Sequence, residues 1–431
     1  MLSFFRKLVN KNREILGNRE RAYDESFIRI VSIQKSTNKI IVNFNPSDNL
    51  KKYFNFFNQE ISYRGLESDL SNFPDGIVVI PTISNLLPLI WFYDVNLVVD
   101  ELDKTFYDNI SEIKKGYSKM FPFIEFKGKV SCKNIVDYSY DVKNNSVVLF
   151  SQGLDSSNTV INNLDKNLFL LTLHGADLPL EEIEGFKNLS NSITDFASSV
   201  NCENIFARSS FRKNLNYAAL DNTLPNEMKK SWWHQFQHGI AIISHAVIVA
   251  YAKKSNNILI ASSLSDECAK FNNVEYNRCA SSPIIDNKFK FSSCGVIHDG
   301  YEYEKLDKLK NVIDYSKQKG FVRLRVCYTS RNGGNCSKCD KCSRLILSLI
   351  SENENPLNYG FNVTDESLLD IKNNLDNLKE GIETWGWSRI SFTNFFWIQI
   401  QENFRNNADK YDYNENVEWI LDYNFEDMNW K

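Results

Sequence analysis

Cys327, Cys336, Cys339 and Cys342 lie within sixteen residues, in the segment RVCYTSRNGGNCSKCDKCSRL. The spacing is C-x8-C-x2-C-x2-C, with two glycines in the long gap and two-residue spacers after it. Four thiolates so placed can close around one tetrahedral metal. Zinc suits them best, because four sulfur ligands leave no position for water and define a structural site. The other five of the nine cysteines, Cys132, Cys202, Cys268, Cys279 and Cys294, are scattered. An odd count with one clustered quartet points to a metal in a reducing compartment, not to a disulfide framework.

A second segment with chemical potential is FSQGLDSS, Phe150 to Ser157. An apolar run precedes it and a helical pattern follows. Gly153 permits a tight turn and close backbone approach. Asp155 and Ser156 are helix-starting residues. Free N–H groups at a helix N-terminus attract phosphate, aided by the helix dipole. No G-x-x-x-x-G-K-[ST] sequence occurs, so the loop is not of the Walker type.

Other groups have blander expectations. His174, in the turn His174-Gly175-Ala176-Asp177, stands where a strand should end and where a ligand could reach it. His234, His238 and His245 share one side of a helical pattern. HQFQH lacks the glutamate of a zinc hydrolase, so the expectation is a polar seam and not a second metal site. Cys268, Cys279 and Cys294 read as small buried cysteines. Lys288, Lys290, Arg323 and Arg325 read singly as solvated charges, although one of them could meet a substrate carboxylate.

The elements that must position these groups alternate. Strands are expected at Ser146–Phe150, Leu168–Leu173, Ile205–Ala207, Ile258–Ala261 and Phe321–Val326. Helices are expected from Asp155, from Leu180, over His234–Lys254 and over Lys305–Gln318. This order predicts an α/β fold with a parallel, doubly wound sheet, whose ligands sit beyond the carboxyl ends of the strands. Three regions are expected: an accessory α/β domain over 1–140, a nucleotide-binding domain over 141–355 and a Trp-rich helical region over 356–431. In the first, FIRIVSI, KIIVNF and GIVVIPTI (76–83) read as strands and Glu101–Lys119 as a helix. The last holds Trp385, Trp387, Trp397, Trp419 and Trp430, with an acidic stretch from Asp412 to Asp427.

Composition narrows the class. The 431 residues carry 50 Lys and Arg against 54 Asp and Glu, a formal net charge of −4. No basic excess invites duplex nucleic acid. A zinc-ribbon nucleic-acid binder is disfavoured too, since the cysteine segment lacks interleaved arginine and aromatic residues. Arg6 and Lys7 interrupt the apolar start, which argues against a signal peptide. Gly239 to Ala252 is too short to span a membrane. A cytoplasmic protein is expected.

The segment VVLFSQGLDSSNTV resembles the S-G-G-x-D-S pyrophosphatase loop of the PP-loop ATP pyrophosphatases, with Gln152 where that motif has its first glycine. The cysteine array is similar in spacing and wording to that of one branch, the 7-cyano-7-deazaguanine synthases of queuosine biosynthesis. The resemblance covers about residues 146–350. It implies that Ser151, Gln152, Gly153, Leu154, Asp155, Ser156, Ser157 and His174 bind ATP, with Asp155 and Ser156 as catalytic residues and Mg²⁺ assisting. It implies that Cys327, Cys336, Cys339 and Cys342 hold structural zinc. The implied reaction adenylates a carboxylate such as 7-carboxy-7-deazaguanine with pyrophosphate release. Ammonia or another amine, including one on a protein partner, then displaces AMP to leave an amide or nitrile. Relatives of this kind serve anti-phage defence and specialised modification, and a homodimer is compatible with the pattern. The competing expectation is a catalytically degenerate PP-loop scaffold that binds a partner.

Overall fold

The computed structural model describes residues 26–226, 228, 230–271, 279–320, 322–388, 393–411, 413 and 415–425. The expectations placed on residues 1–16, Phe321, Asp412, Asp427 and Trp430 lie outside these.

The chain forms two compact units, each built from several stretches. The first contains the described residues up to 143, with 208–256 and the described part of 276–296. The second contains 144–207, the described part of 257–275, and the described residues from 297 onward.

Five strands organise the first unit: β1 (Phe27–Lys35), β2 (Lys39–Pro46), β3 (Asn58–Arg64), β4 (Asn96–Asp103) and β5 (Lys129–Val136). The order is β3-β2-β1-β4-β5. β2 runs antiparallel to β1 and β3, whereas β4 runs parallel to β1 and β5. Period-2 burial, as in β2 where Ile40, Val42 and Phe44 are buried, gives each strand its inner face.

One expectation fails here. GIVVIPTI belongs to two consecutive helices, Asp75–Val78 and Ile80–Phe92. Pro81 stands in the first turn of the second helix, and all thirteen of its residues are buried. A helix buried on every side shows a continuous apolar run, as a buried strand does. Glu101–Lys119 is also divided: Glu101 belongs to β4, and the helix is Lys104–Met120, capped by the Asp103 carboxylate accepting from the Phe106 N–H at 2.8 Å.

In the second unit, β6 (Lys143–Leu149) pairs in parallel with β7 (Asn167–His174). β8 (Glu203–Ser209) lies beyond β7, and β9 (Ser255–Ala261) lies on the other side of β6. β10 (Lys290–Phe291), in the first unit, pairs antiparallel with the start of β11 (Cys294–Asp299), whose residues 297–299 belong to the second unit. The fold is α/β as expected, but strand pairing is mixed and not purely parallel.

Phe321–Val326 is not a strand over its described part, 322–326. Its polar backbone groups are claimed by loops. The Leu324 N–H donates to the Tyr359 carbonyl at 2.9 Å, and the Arg325 N–H donates to the Gln152 carbonyl at 2.7 Å. The Asn335 side chain accepts from the Val326 N–H and donates to the Leu324 carbonyl. With these groups taken by loop and side-chain partners, the segment joins no strand ladder among the described residues.

The helix expected over His234–Lys254 begins with a π-helical turn, Trp233–Gln237, and continues as an α-helix, His238–Lys253. No helix among the described residues is long and apolar enough to cross a membrane.

Candidate metal centre and phosphate loop

The cysteine array closes. The Sγ atoms of Cys327 and Cys339 are 3.9 Å apart, those of Cys336 and Cys342 are 3.8 Å apart, and all four lie within 4.8 Å of one another. A tetrahedron with metal–sulfur bonds of about 2.3 Å has edges of about 3.8 Å, so the thiols fit zinc. They come from two short pieces of chain. Cys327 follows the irregular segment 322–326. Cys336 and Cys339 flank a turn whose Ser337 has φ 59°, and Cys342 sits in the first turn of helix Asp340–Ser351.

Backbone N–H groups point at the sulfurs. Ser330 donates to Cys327 Sγ at 3.2 Å, while Lys338 and Cys339 donate to Cys336 Sγ at 3.4 and 3.3 Å. Such donors disperse thiolate charge and fix the ligands' orientation.

Cys327, Cys339 and Cys342 belong to the second unit's core, which also holds Trp387 and Trp397. These two indoles stack with centroids 6.0 Å apart. Trp387 Nε1 donates to the Lys338 carbonyl at 2.8 Å, and Trp397 Nε1 donates to Asp340 Oδ1 at 3.2 Å. Gly386, at φ 76°, presses so close that a Cβ there would come within 2.7 Å of Cys339 Cβ. The Trp-rich region thus forms one wall of the cysteine site. That role was invisible in the spacing.

The loop lies between β6 and helix Leu154–Asn162 as expected. Gly153 is the N-cap, and no side chain caps the helix. Its first N–H groups are therefore left without a side-chain acceptor, as an anion site requires. Ser151 Oγ and Ser156 Oγ are 3.4 Å apart, and Ser156 Oγ also donates to the Gly153 carbonyl at 3.2 Å. Ser157 Oγ is buried with no hydrogen-bond partner among the described residues.

Gln152 adopts φ 61°, the left-handed conformation that a glycine would enter freely. Its side chain is buried and donates to Ser192 Oγ at 3.0 Å and the Ser192 carbonyl at 3.3 Å. Gln152 thus holds a backbone shape that favours glycine, while its side-chain amide reaches Ser192 of helix Ile183–Ser199.

Asp155 meets cations that the sequence did not single out. Lys305 Nζ is 2.5 and 2.6 Å from its two carboxylate oxygens, and Lys308 Nζ is 3.5 Å from Oδ1. Burial alone would raise the Asp155 pKa, but Lys305, Lys308 and Lys341 outweigh it and hold the carboxyl below its usual range. Both lysines of the pair project from helix Lys305–Lys319, three residues apart on one face. Glu304 and Asp307 form a capping box at its start. Asn311 ties this helix to the loop's helix by donating to Asn158 Oδ1 and Asn162 Oδ1 at 2.8 and 2.9 Å.

Lys308 also donates to the Ser262 carbonyl at 2.8 Å, and burial lowers its pKa. Ser262 Oγ lies 2.8 Å from His298 Nε2. The only advance signal for Lys305 and Lys308 was their i, i+3 spacing behind a cap, which many surface helices share.

His174 ends β7, as expected. Its ring is buried, with Nε2 2.9 Å from the Pro179 carbonyl, and stacks on Phe186 at 4.1 Å. The three helix histidines do not converge. Among the described residues, the metal-ligating groups brought within reach of one ion are the four cysteines. His245 is a core residue of the first unit, with Nδ1 2.6 Å from the Ala241 carbonyl and Nε2 2.8 Å from Ser209 Oγ. Cys268 and Cys294 are buried, but Cys279 is only half-buried, 3.9 Å from His238 Nδ1.

No protein-family model, curated protein or solved structure matches the chain. The functional reading therefore rests on the site itself.

Proposed function

We propose that the chain is an ATP-dependent, AMP-forming carbon–nitrogen ligase that activates a small carboxylate. The observation carrying this reading is the loop's chemistry: an uncapped helix N-terminus beside Asp155, with Lys305, Lys308 and Lys341 gathered on that carboxylate. The arrangement suits a polyphosphate, which needs backbone donors, cations and a carboxylate to share a metal ion.

In this reading the N–H groups of the loop receive the β- and γ-phosphates. Asp155 and Ser156 orient them. Mg²⁺, held by Asp155, would supply charge neutralisation on the phosphate oxygens. Lys305 moves from Asp155 to phosphate as the nucleotide enters. The acceptor's carboxylate oxygen then attacks the α-phosphorus, the bond to the pyrophosphate oxygen breaks, and an acyl-adenylate remains. An amine attacks the acyl carbon and AMP leaves with the bonding electrons, giving an amide; a nitrile would need a second ATP to adenylate the oxygen of a primary amide, which then leaves as AMP as the nitrogen gives up its two protons. Positioning and electrostatics provide the catalysis. The four thiolates hold zinc for structure alone.

The acceptor best supported by the resemblance is 7-carboxy-7-deazaguanine or a related deazapurine, in a cytoplasmic defence or modification pathway. Its amine is ammonia or a group on a partner protein. Incubating the chain with Mg²⁺, ATP and this acid, with and without ammonium, tests the proposal. AMP and pyrophosphate should form only when the acid is present. ADP as product would remove the chain from this class.

One observation favours the scaffold alternative. Lys305 engages both oxygens of Asp155, so without nucleotide the carboxylate is neutralised inside the protein. A chain that releases no pyrophosphate with any acid would fit that reading instead.

A further inference from the structure

A half-open pocket of about 560 Å³ lies in the second unit beside the loop, and Gln152 is one of its walls. Asn191, Ser192 and Asp195 of helix Ile183–Ser199 line it, as do Arg323 and Arg325. Its size suits a small molecule and not a macromolecular segment.

Arg325 is the unusual member. Its side chain is only 7 % exposed, and the ion pair it makes, to Asp177 Oδ2, is a long 4.0 Å from Nη1. Asp177 itself is 59 % exposed. Arg325 Nε is buried without a hydrogen-bond partner among the described residues. A guanidinium carries five donors, and taking it out of water is costly unless they are matched. Among the described residues this one is matched by a single long contact. Its backbone is held firmly, since its N–H donates to the Gln152 carbonyl at 2.7 Å.

We infer that this cavity binds the acceptor acid, with Arg325 receiving its carboxylate. The inference rests on the ligase reading and adds to it the acceptor's place and its chemical class. A carboxylate offers two coplanar oxygens to the guanidinium fork, completing the missing bonds. Asp195 supplies an acceptor for a ring N–H or amino group. Asn191 and Ser192 supply neutral polar contacts. The ligand so described is a small carboxylate bearing N–H donors. The Arg325–Gln152 hydrogen bond sets the guanidinium's backbone directly against the loop, so the bound acid lies beside the phosphates it must attack.

The experiment is calorimetric titration of the full chain, without ATP, with 7-carboxy-7-deazaguanine and with its neutral carboxamide. The acid should bind more tightly by about tenfold or more, the advantage of a charge-assisted, bidentate pair. Arg325→Gln should bring the two affinities together, and Arg325→Lys should restore part of the preference. ATP affinity, measured separately, should stay within about twofold in both variants. Equal binding of acid and carboxamide by the native chain overturns the inference, and so does an undiminished preference in Arg325→Gln. If Arg325→Gln does not fold, the native acid-to-carboxamide ratio decides alone. Failure of the native chain to bind ATP would count against the ligase reading, while the acid titration still judges the cavity.

Discussion

The backbone N–H of Arg325 donates to the carbonyl of Gln152 at 2.7 Å, joining the loop 151–157 to the segment that leads, two residues later, into Cys327, the first of the four clustered cysteines. Asn335, one residue before the second ligand, braces the same segment from the other direction by accepting from the Val326 and Cys327 N–H groups. The cysteine site and the loop are therefore mechanically connected. Stripping the metal with a chelator should weaken ATP binding as well as stability. Calorimetry on stripped and zinc-restored protein checks this; unchanged ATP affinity in folded, metal-free protein would separate the two sites.

Protein purified without added zinc should contain about one equivalent of it. Cys339→Ser should lose the metal and much of the soluble yield, because a closed thiolate site is coupled to folding. A metal-free Cys339→Ser chain with native circular dichroism and melting would contradict a structural role.

Lys305→Met should lower the rate of AMP formation by a factor of about 10²–10³, the usual scale for removing one charge that stabilises transferring phosphate. The fold should survive, because Lys305 is partly exposed and Lys308 still faces Asp155. A turnover rate unchanged from the native chain would remove Lys305 from the reaction.

Gln152→Val should destabilise the second unit by about 2–3 kcal/mol. A β-branched residue is strained at φ 61°, and the bonds to Ser192 are lost. Gln152→Gly should be milder, since relief of backbone strain offsets part of the same loss. Urea unfolding of both variants gives the comparison; equal losses would mean that the backbone conformation carries no cost.

His245 predicts an acid limb in the stability of the first unit. Burial pushes its pKa down from 6.5 to about 4. The unfolded chain therefore takes up a proton below about pH 6.5 that the native state refuses. Stability from this residue is complete above that pH and declines as the pH falls toward 4, by at most about 3 kcal/mol. His245→Gln should flatten the decline between pH 6.5 and 4, read from urea midpoints across that range. A slope identical to that of the native chain would contradict this.

The chemistry most legible in the sequence was local. The cysteine spacing foretold a closed quartet because all four ligands sit within one turn-rich stretch. FSQGLDSS foretold strand, turn and helix because a glycine and two helix starters follow an apolar run. What escaped was set by distant partners. Lys305 reaches Asp155 across 150 residues of chain, and nothing in its own neighbourhood distinguishes it from Lys310. GIVVIPTI was misread because continuous burial erases the periodicity that separates a strand from a helix. The stretch ending at Val326 looked like a strand because it alternates apolar and basic residues, yet Asn335 and Tyr359 satisfy its backbone where a neighbouring strand would have to.

The wall that Gly386, Trp387 and Trp397 raise over the thiols has a consequence for the order of events in biosynthesis. The ribosome makes the four ligands well before it makes the wall. A nascent chain halted before residue 384 carries every sulfur, but Cys339 is not yet covered by Gly386 and the Lys338 carbonyl lacks its indole donor. Metal taken up at that stage would be open to exchange with competing thiols, and the contacts of Gly386 and Trp387 would close over it only when the later segment folds back. Retention of a bound ion would thus depend on residues 386–397, and a chain ending before Gly386 should behave as a metal-loss defect although it leaves all four cysteines in place.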